Sequence, residues 1–247
     1  MSVTIVTPNP ALVWNGQLTV RSSTRYLIIH HAASTGDVYA IHNAHLAKGW
    51  KGIAYNFYIR TDGTIYEGRG WDKEGGHTEG YNSNSIGICM EGNYETTQDV
   101  PIAQQRSCIA LMAEALSRYP SITSIGGHND YNSTACPGQY FPKTNVISSA
   151  QIYSSVASAA NMLVQKGVIN SPDYWVDNFF RVQNLGALII KLGNSCKSYV
   201  TYNAQTVYNA INRLAEVGII DSPGYWNIAY SSLPYLDTLL INSANRS

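Results

Sequence analysis

The sequence predicts an α/β domain, a mixed sheet with flanking helices, followed by a small all-α domain of two helical repeats. Strand and helix patterns alternate along the first part of the chain, which also holds all six histidines, each before residue 130. The last hundred residues hold no histidine, carry helical patterns and contain an internal repeat. Because the two parts differ in both respects, we predict two domains, 1–147 and 148–247.

The first predicted elements are a strand and a helix. The run Tyr26–His31 is short, apolar and rich in branched side chains, which is typical of a buried strand. Asp37 can cap a helix that runs to about residue 48, and Gly49 can end it. His30 therefore lies at the end of a strand, at an edge of the sheet where ligands gather.

A hairpin, a further strand and a long helix complete the first domain. Asp62 and Gly63 separate two extended runs, 55–60 and 64–67, and this dipeptide favours a two-residue hairpin turn because it tolerates positive φ. We predict another strand at 85–91. A helix should begin at Pro101, since apolar residues recur at helical spacing from there to residue 119.

The charge balance argues against several classes of partner. Lysine plus arginine and aspartate plus glutamate number 16 each, with 10 basic and 11 acidic residues in 1–150. Neither part has the basic surplus that binding to a phosphate backbone requires, so we expect no nucleic acid and favour an uncharged or mixed-charge polymer. No apolar stretch is long enough for membrane insertion, and the first residues lack the pattern of a signal peptide. We expect synthesis in the cytoplasm.

Three of the four cysteines carry no sign of a special role. Cys89, Cys108 and Cys196 show neither CxxC spacing nor a disulfide framework, so we expect them to be reduced and mostly buried. Cys136 differs from these three, because it lies in a predicted polar, turn-rich loop, where a cysteine is not needed to fill a hydrophobic core.

His30, His128 and Cys136 are the candidate metal ligands. Imidazole nitrogen and thiolate sulfur are the usual ligands of zinc, and three of them with an open fourth position make a catalytic site. Each alone has an ordinary alternative, since a single histidine is more often a core or surface residue and a cysteine a small buried hydrophobe. His31 points to the opposite face of the strand and is the weaker candidate.

Six motifs in order make the chain similar to the zinc-dependent N-acetylmuramoyl-L-alanine amidases of the type-2 family, which includes phage endolysins and peptidoglycan-recognition proteins. The motifs are LIIHH at 27–31, GWKGIAYNF at 49–57, DGTIYEGR at 62–69, HTEGYN at 77–82, SIGI at 85–88, and GH at 127–128 with CPG at 136–138. The resemblance covers about residues 20–145. It implies one zinc ion held by His30, His128 and Cys136, and bacterial peptidoglycan as substrate, cut between N-acetylmuramic acid and L-alanine.

The same resemblance implies the catalytic residues. Tyr55 stands at the position of the family's catalytic tyrosine, and Glu91 matches a glutamate that some members place at this strand end, where it could serve as general base. Glu91 could otherwise be a solvated strand-end charge. Thr134 replaces a lysine that several members use to stabilise negative charge, and a threonine offers one hydrogen bond without charge. His77 is either a substrate or oxyanion contact, which we favour, or a polar loop residue.

The last hundred residues contain two copies of one helical unit. Residues 161–175 align with 212–226 at a constant offset of 51, and the pair 188–189 aligns with 239–240 at the same offset. In each copy a glycine can end the first helix and Ser-Pro can begin the second. Two helices per copy, each with one apolar face, cannot bury those faces alone, so the two copies should pack into a small four-helix unit.

A duplicated module behind a wall hydrolase is most simply a cell-wall binding domain, since two weak sites on one polymer raise the apparent affinity. We interpret the tryptophans of the repeated Tyr174-Trp175 and Tyr225-Trp226 pairs as core anchors, and a homodimer through the repeats stays open. For the whole chain, the function that we favour is that of an endolysin-like amidase that acts on the wall after release from the cell. A non-catalytic peptidoglycan-binding protein is the second hypothesis, and a protein with a purely structural zinc is the third. Cys136 and Tyr55 favour catalysis, because binding-only members of the family typically lack the cysteine.

Overall fold

A computed structural model describes residues 3–181, 184–197, 200 and 202–247. The chain divides into two compact units, one within the first 151 residues and one from Ile152 to Ser247. The predicted boundary after residue 147 lies inside a helix that runs from Lys143 to Gln165.

The first unit is built on a six-stranded mixed sheet. Its strands are β1 (Ile5–Val6), β2 (Tyr26–His31), β3 (Phe57–Ile59), β4 (Ile65–Glu67), β5 (Ser85–Met90) and β6 (Ser124–Gly127). Their order across the sheet is β1-β4-β3-β5-β2-β6, and β3 and β4 form the antiparallel pair while the other neighbours are parallel. The central strands β2 and β5 are almost completely buried, as expected of strands covered on both faces.

Two helices cover opposite faces of this sheet. Helix α1 (Val38–Ala47) packs with the core on one face, and helix α2 (Ile102–Arg118) packs with the larger core on the other. The side chain of Asp37 accepts a hydrogen bond from the backbone N–H of Ala40, so the predicted helix cap is confirmed. The hairpin between β3 and β4 and the start of α2 are also confirmed. The turn itself differs from the prediction, since three residues rather than two lie between the hydrogen-bonded Arg60 and Thr64, and of Asp62 and Gly63 only the glycine has positive φ. The short strand β1 was not predicted.

The second unit is helical throughout its described elements. It contains the remainder of α3 (Lys143–Gln165), then α4 (Pro172–Asn178), α5 (Leu185–Ser195), α6 (Val207–Glu216), α7 (Pro223–Ala229) and α8 (Leu236–Asn245). The described part of the unit thus has six helices, three in each copy, and the predicted four-helix unit is wrong because the apolar pairs 188–189 and 239–240 belong to a third helix of each copy. Helices α4 and α7 begin 51 residues apart, as do α5 and α8, and a turn of 3-10 helix follows both α4 and α7. Trp175 and Trp226 are 4% and 5% exposed in a shared core, which confirms their interpretation as core anchors.

Within the described ranges, no helix combines the length and the apolar character that a membrane span requires.

Candidate metal centre

His30, His128 and Cys136 converge at one edge of the sheet. One potential ligand atom from each lies within 4.8 Å of the others. His30 lies near the end of β2, and His128 directly follows the neighbouring strand β6 at the start of a short 3-10 helix. Parallel neighbours end at the same edge of a sheet, so the fold brings together two histidines that are far apart in sequence.

The sulfur of Cys136 lies against the backbone of β2. It accepts a hydrogen bond from the N–H of His31 at 3.3 Å and lies 3.6 Å from Nδ1 of His30. Burial raises the pKa of the Cys136 thiol to about 11, with the His31 N–H acting in the opposite direction. A thiol in this environment becomes a thiolate at neutral pH only if a cation binds beside it.

A chain of hydrogen bonds determines which nitrogen of His30 faces Cys136. The hydroxyl of Ser85 donates to the carbonyl oxygen of Tyr81 at 2.6 Å, which leaves the Ser85 oxygen to accept from Nε2 of His77 at 3.5 Å. Nδ1 of His77 is then an acceptor, 2.9 Å from the hydroxyl of Thr78 and 3.0 Å from Nε2 of His30. Nε2 of His30 also lies 3.3 Å from the Thr78 hydroxyl, whose oxygen can accept from it. Since a carbonyl can only accept, this direction places the proton of His30 on Nε2 and leaves Nδ1 free to bind a metal.

His128 shows the same arrangement. Its Nε2 lies 3.2 Å from the Oδ1 of Asn132, an acceptor, so Nδ1 is again the nitrogen without a proton. Burial lowers the pKa values of both His30 and His128, for His30 with help from the neighbouring His77. Both imidazoles are therefore neutral at pH 7, which is the form that binds metals.

Two glycines make room for the ring of His77. A Cβ built on Gly75 would lie 2.2 Å from Cδ2 of His77, and one on Gly87 would lie 2.3 Å from the same atom. The peptide N–H groups of His77 and Thr78 both donate to the Oδ1 of Asn82. His77 is thus buried, with its ring centroid 4.9 Å from that of His30, so it is not a solvated loop residue. Its predicted contact with the substrate or the oxyanion stays a prediction.

Tyr55 lies beside this cluster. Its ring centroid is 5.2 Å from that of His30 and 6.5 Å from that of His77. Burial raises the pKa of the Tyr55 phenol well above its ordinary value, with the Cys89 and Cys136 thiols adding to the effect. The phenol therefore keeps its proton at neutral pH and can donate a hydrogen bond.

Glu91 occupies a different environment from the one that its sequence position suggests. It is 4% exposed, so it is not a solvated charge. One carboxylate oxygen accepts from the backbone N–H of Gly36, and the other accepts from the N–H of Thr61 and forms an ion pair with Arg60. Both oxygens are engaged in fixing two loops, which favours a structural role over a general base.

Thr134 is exposed, and its hydroxyl accepts a hydrogen bond from the backbone N–H of Cys136 at 3.3 Å. It thus supports the loop that presents the cysteine. Sequence reasoning missed Ser85, Asn132 and the two glycines around His77. The glycine within the strand motif SIGI could have indicated a side chain packed closely against that strand.

Two imidazole nitrogens and one sulfur at the carboxyl edge of a mixed sheet are a set of donors typical of one class of protein, the metal-dependent hydrolases with a three-ligand centre. Comparison with known proteins narrows this class. Residues 20–139 match the family of N-acetylmuramoyl-L-alanine amidases, and the chain belongs to this family.

Three similar proteins illustrate the match. Peptidoglycan-recognition protein SC2 of Drosophila simulans is 35% identical over 157 residues, covering 56% of this chain and 82% of the relative. The endolysin of Enterobacteria phage K11 is 35% identical over 130 residues, 49% of this chain and 85% of the endolysin. The solved structure of the N-acetylmuramoyl-L-alanine amidase LysC from Clostridium intestinale URNW has a TM-score of 0.57 at 34% identity, covering 61% of this chain and 99% of LysC. The predicted family and enzyme class, a peptidoglycan amidase, are confirmed.

Proposed function

We propose that this chain is a zinc-dependent hydrolase that cuts the amide bond between N-acetylmuramic acid and the L-alanine of the stem peptide. The observation that carries the proposal is the convergence of His30, His128 and Cys136 within 4.8 Å in a member of this amidase family. The donor set fits zinc, since both imidazoles present an unprotonated nitrogen and the sulfur lies beside them.

A bound zinc ion would supply Lewis-acid polarisation of the scissile carbonyl and activation of the attacking water. The protein's own groups have separate tasks. The protonated Tyr55 phenol donates a hydrogen bond to the oxygen on which negative charge develops. His77 holds the His30 ring in the orientation and tautomer that direct Nδ1 to the metal, which is a positioning role. Thr134 holds the Cys136 loop.

We do not assign the general base to Glu91, because its carboxylate is already engaged by Arg60, Gly36 and Thr61. Its expected contribution is to fix the loop before α1 and the turn after β3.

We further propose that the second unit is a pair of helical repeats that binds the cell wall, as part of an endolysin that acts after release from the cell. Support comes from the matching starts of its helices at an offset of 51 residues and from its position behind an amidase unit. The similar proteins give no support for a homodimer.

A non-catalytic peptidoglycan-binding protein is the second candidate, because a peptidoglycan-recognition protein is among the similar proteins. The presence of both Cys136 and Tyr55 favours the enzyme.

The test is zinc content and release of new amino groups from purified wall by the parent chain, Cys136→Ser and Tyr55→Phe. Cys136→Ser should lose both zinc and activity, since a hydroxyl is a far poorer ligand than a thiolate. Tyr55→Phe should keep zinc and lose about a hundredfold in kcat. Full activity in a zinc-free Cys136→Ser protein would refute the proposed centre.

A further inference from the structure

Two cavities in the second unit occupy equivalent places in the two repeats. The larger one, of ≈ 620 Å³, lies between residues 167–175 and residues 235–242. The smaller one, of ≈ 350 Å³, lies between residues 219–226 and residues 184–191. Every residue that lines the smaller cavity has a counterpart 51 positions away that lines the larger one. The two cavities are therefore equivalent features of the repeat. Each one is formed by an early segment of one copy and the last helix of the other copy.

The larger cavity has the lining of a site for a neutral, hydroxyl-rich ligand. The rings of Tyr174 and Tyr235 meet edge to face with centroids 5.7 Å apart, and Asn170, Ser171 and Asn242 also line the cavity. The amide nitrogen of Asn242 donates to the backbone oxygen of Val168 at 2.9 Å, so its oxygen is the atom that can accept from a ligand. Among the lining residues whose side chains the structure describes, there is no aspartate, glutamate, lysine or arginine. Aromatic faces with a few directed polar groups, in a volume of several hundred Å³, are typical of small-ligand pockets. A pyranose ring matches this lining, since it has an apolar face for the aromatic rings and hydroxyls for the amides.

Tyr235 is unusual in both its backbone conformation and the exposure of its side chain. It is 66% exposed and has a left-handed backbone with φ 65°, and its counterpart Asn184 has φ 63°. Asparagine tolerates this conformation better than tyrosine does. A large exposed ring at a position whose backbone suits asparagine indicates a role in contact with a ligand.

The smaller cavity has a different chemistry. Where the larger cavity has Asn170 and Asn242, the smaller one has Asp221 and Lys191, which form an ion pair at 3.1 Å. Tyr235 is replaced by Asn184, so the smaller cavity lacks the exposed aromatic ring. The two sites have the same architecture but different linings.

We propose that the larger cavity binds a neutral saccharide of the cell wall, with Tyr174 and Tyr235 against the sugar ring and Asn170 and Asn242 on its polar substituents, and that the smaller cavity does not. This rests on the proposed wall-binding function of the second unit and gives that function a site and a ligand class. The sugar can come from the glycan strand itself, whose N-acetylglucosamine units are neutral while each peptide-free N-acetylmuramic acid carries a lactyl carboxylate, or from a neutral polysaccharide attached to the strand.

The test uses the full chain with Cys136→Ser, so that the wall is not cut during the measurement. Two further substitutions give the larger cavity residues of the smaller one, Tyr235→Asn and Asn242→Lys. Tyr208→Asn is the matched control, because Tyr208 is 63% exposed in the same unit and lines neither cavity. Binding is measured by cosedimentation with purified wall and by calorimetry with two probes, peptide-free glycan strands and neutral polysaccharide released from the wall.

Tyr235→Asn and Asn242→Lys should each weaken binding about tenfold or more, to the wall and to one of the two soluble saccharides, while Tyr208→Asn binds like the parent. Matching circular dichroism spectra would show that the variants are folded. Unchanged binding in both cavity variants would refute the site while leaving the wall-binding function intact. Wall binding without affinity for either saccharide would refute the ligand class. Failure of the parent chain to bind the wall would refute the wall-binding function itself, and the proposed site with it.

Discussion

At the scale of single residues, the proposed metal centre depends on groups that lie behind its three candidate ligands. His77 and Ser85 decide which nitrogen of His30 carries the proton, and Gly75 and Gly87 provide the space that His77 occupies. Outer hydrogen-bond partners of this kind orient a metal ligand and fix its tautomer.

His77→Ala should therefore lower zinc affinity by about 10- to 100-fold, because Nε2 of His30 loses the nearer of its two partners and keeps only the Thr78 hydroxyl at 3.3 Å, so the other tautomer becomes more accessible. Gly87→Ala should have a similar effect by displacing the His77 ring. Zinc affinity is measured by competition with a chromophoric chelator. Thr97→Ala, an exposed substitution away from this cluster, serves as control. Unchanged affinity in both variants, with reduced kcat, would instead favour a direct substrate contact for His77.

Glu91 gives the opposite prediction. Glu91→Gln should lower the free energy of unfolding by about 1–3 kcal/mol, because it weakens a buried, ion-paired carboxylate, and should leave kcat within a fewfold of the parent. Urea denaturation and wall hydrolysis below the melting temperature measure the two effects separately. A loss of about a hundredfold in kcat with unchanged stability would restore Glu91 as the general base.

At the scale of elements, helix α1 is joined to the segment after it by its own histidines. Nδ1 of His42 accepts a hydrogen bond from the N–H of Ile53, and Nδ1 of His45 accepts one from the N–H of Ala54. These bonds hold the segment that places Tyr55 beside His30, a candidate metal ligand. Burial lowers the pKa of His45 to about 4, with Lys48 and Arg69 adding to the shift. A neutral imidazole that accepts a backbone N–H is therefore part of the fold.

This pKa shift predicts a pH dependence of stability. In the unfolded chain His45 takes up a proton near pH 6.5, but in the folded chain only near pH 4, so the unfolded state binds more protons between these values. The stability that His45 contributes is complete above about pH 6.5 and is lost as the pH falls towards 4. In His45→Gln, the urea midpoint measured with a chelator present should fall less between pH 7 and pH 5 than in the parent. Equal falls would show that His45 is not one of the groups responsible.

The elements also show how far sequence patterns reach. Local signals predicted β2, α1 with its Asp37 cap and the hairpin at Asp62, because turns, caps and apolar runs are decided by neighbouring residues. Local sequence signals could not predict which groups surround Glu91 and His77. Their partners, Arg60 and Gly36 for Glu91 and His30 for His77, come from other elements, and only the assembled sheet brings them together.

At the scale of the whole molecule, the chain joins an amidase unit to a helical unit with a duplicated pattern. The repeat was visible in the sequence because its copies share residues at one fixed spacing. The different linings of the two cavities could not be predicted from the sequence, because they depend on which residues of one copy face the other copy. The assignment of wall binding to residues 148–247 stays a prediction.

The central claim, hydrolysis of the bond between N-acetylmuramic acid and L-alanine, is tested most directly by mass spectrometry of the products from purified wall. The zinc-loaded chain should release stem peptides that begin with a free amino group on L-alanine and should leave glycan strands with intact lactyl groups. Cys136→Ser should release neither. Products with intact muramoyl-peptide bonds, or cuts within the stem peptide or between sugars, would contradict the assignment.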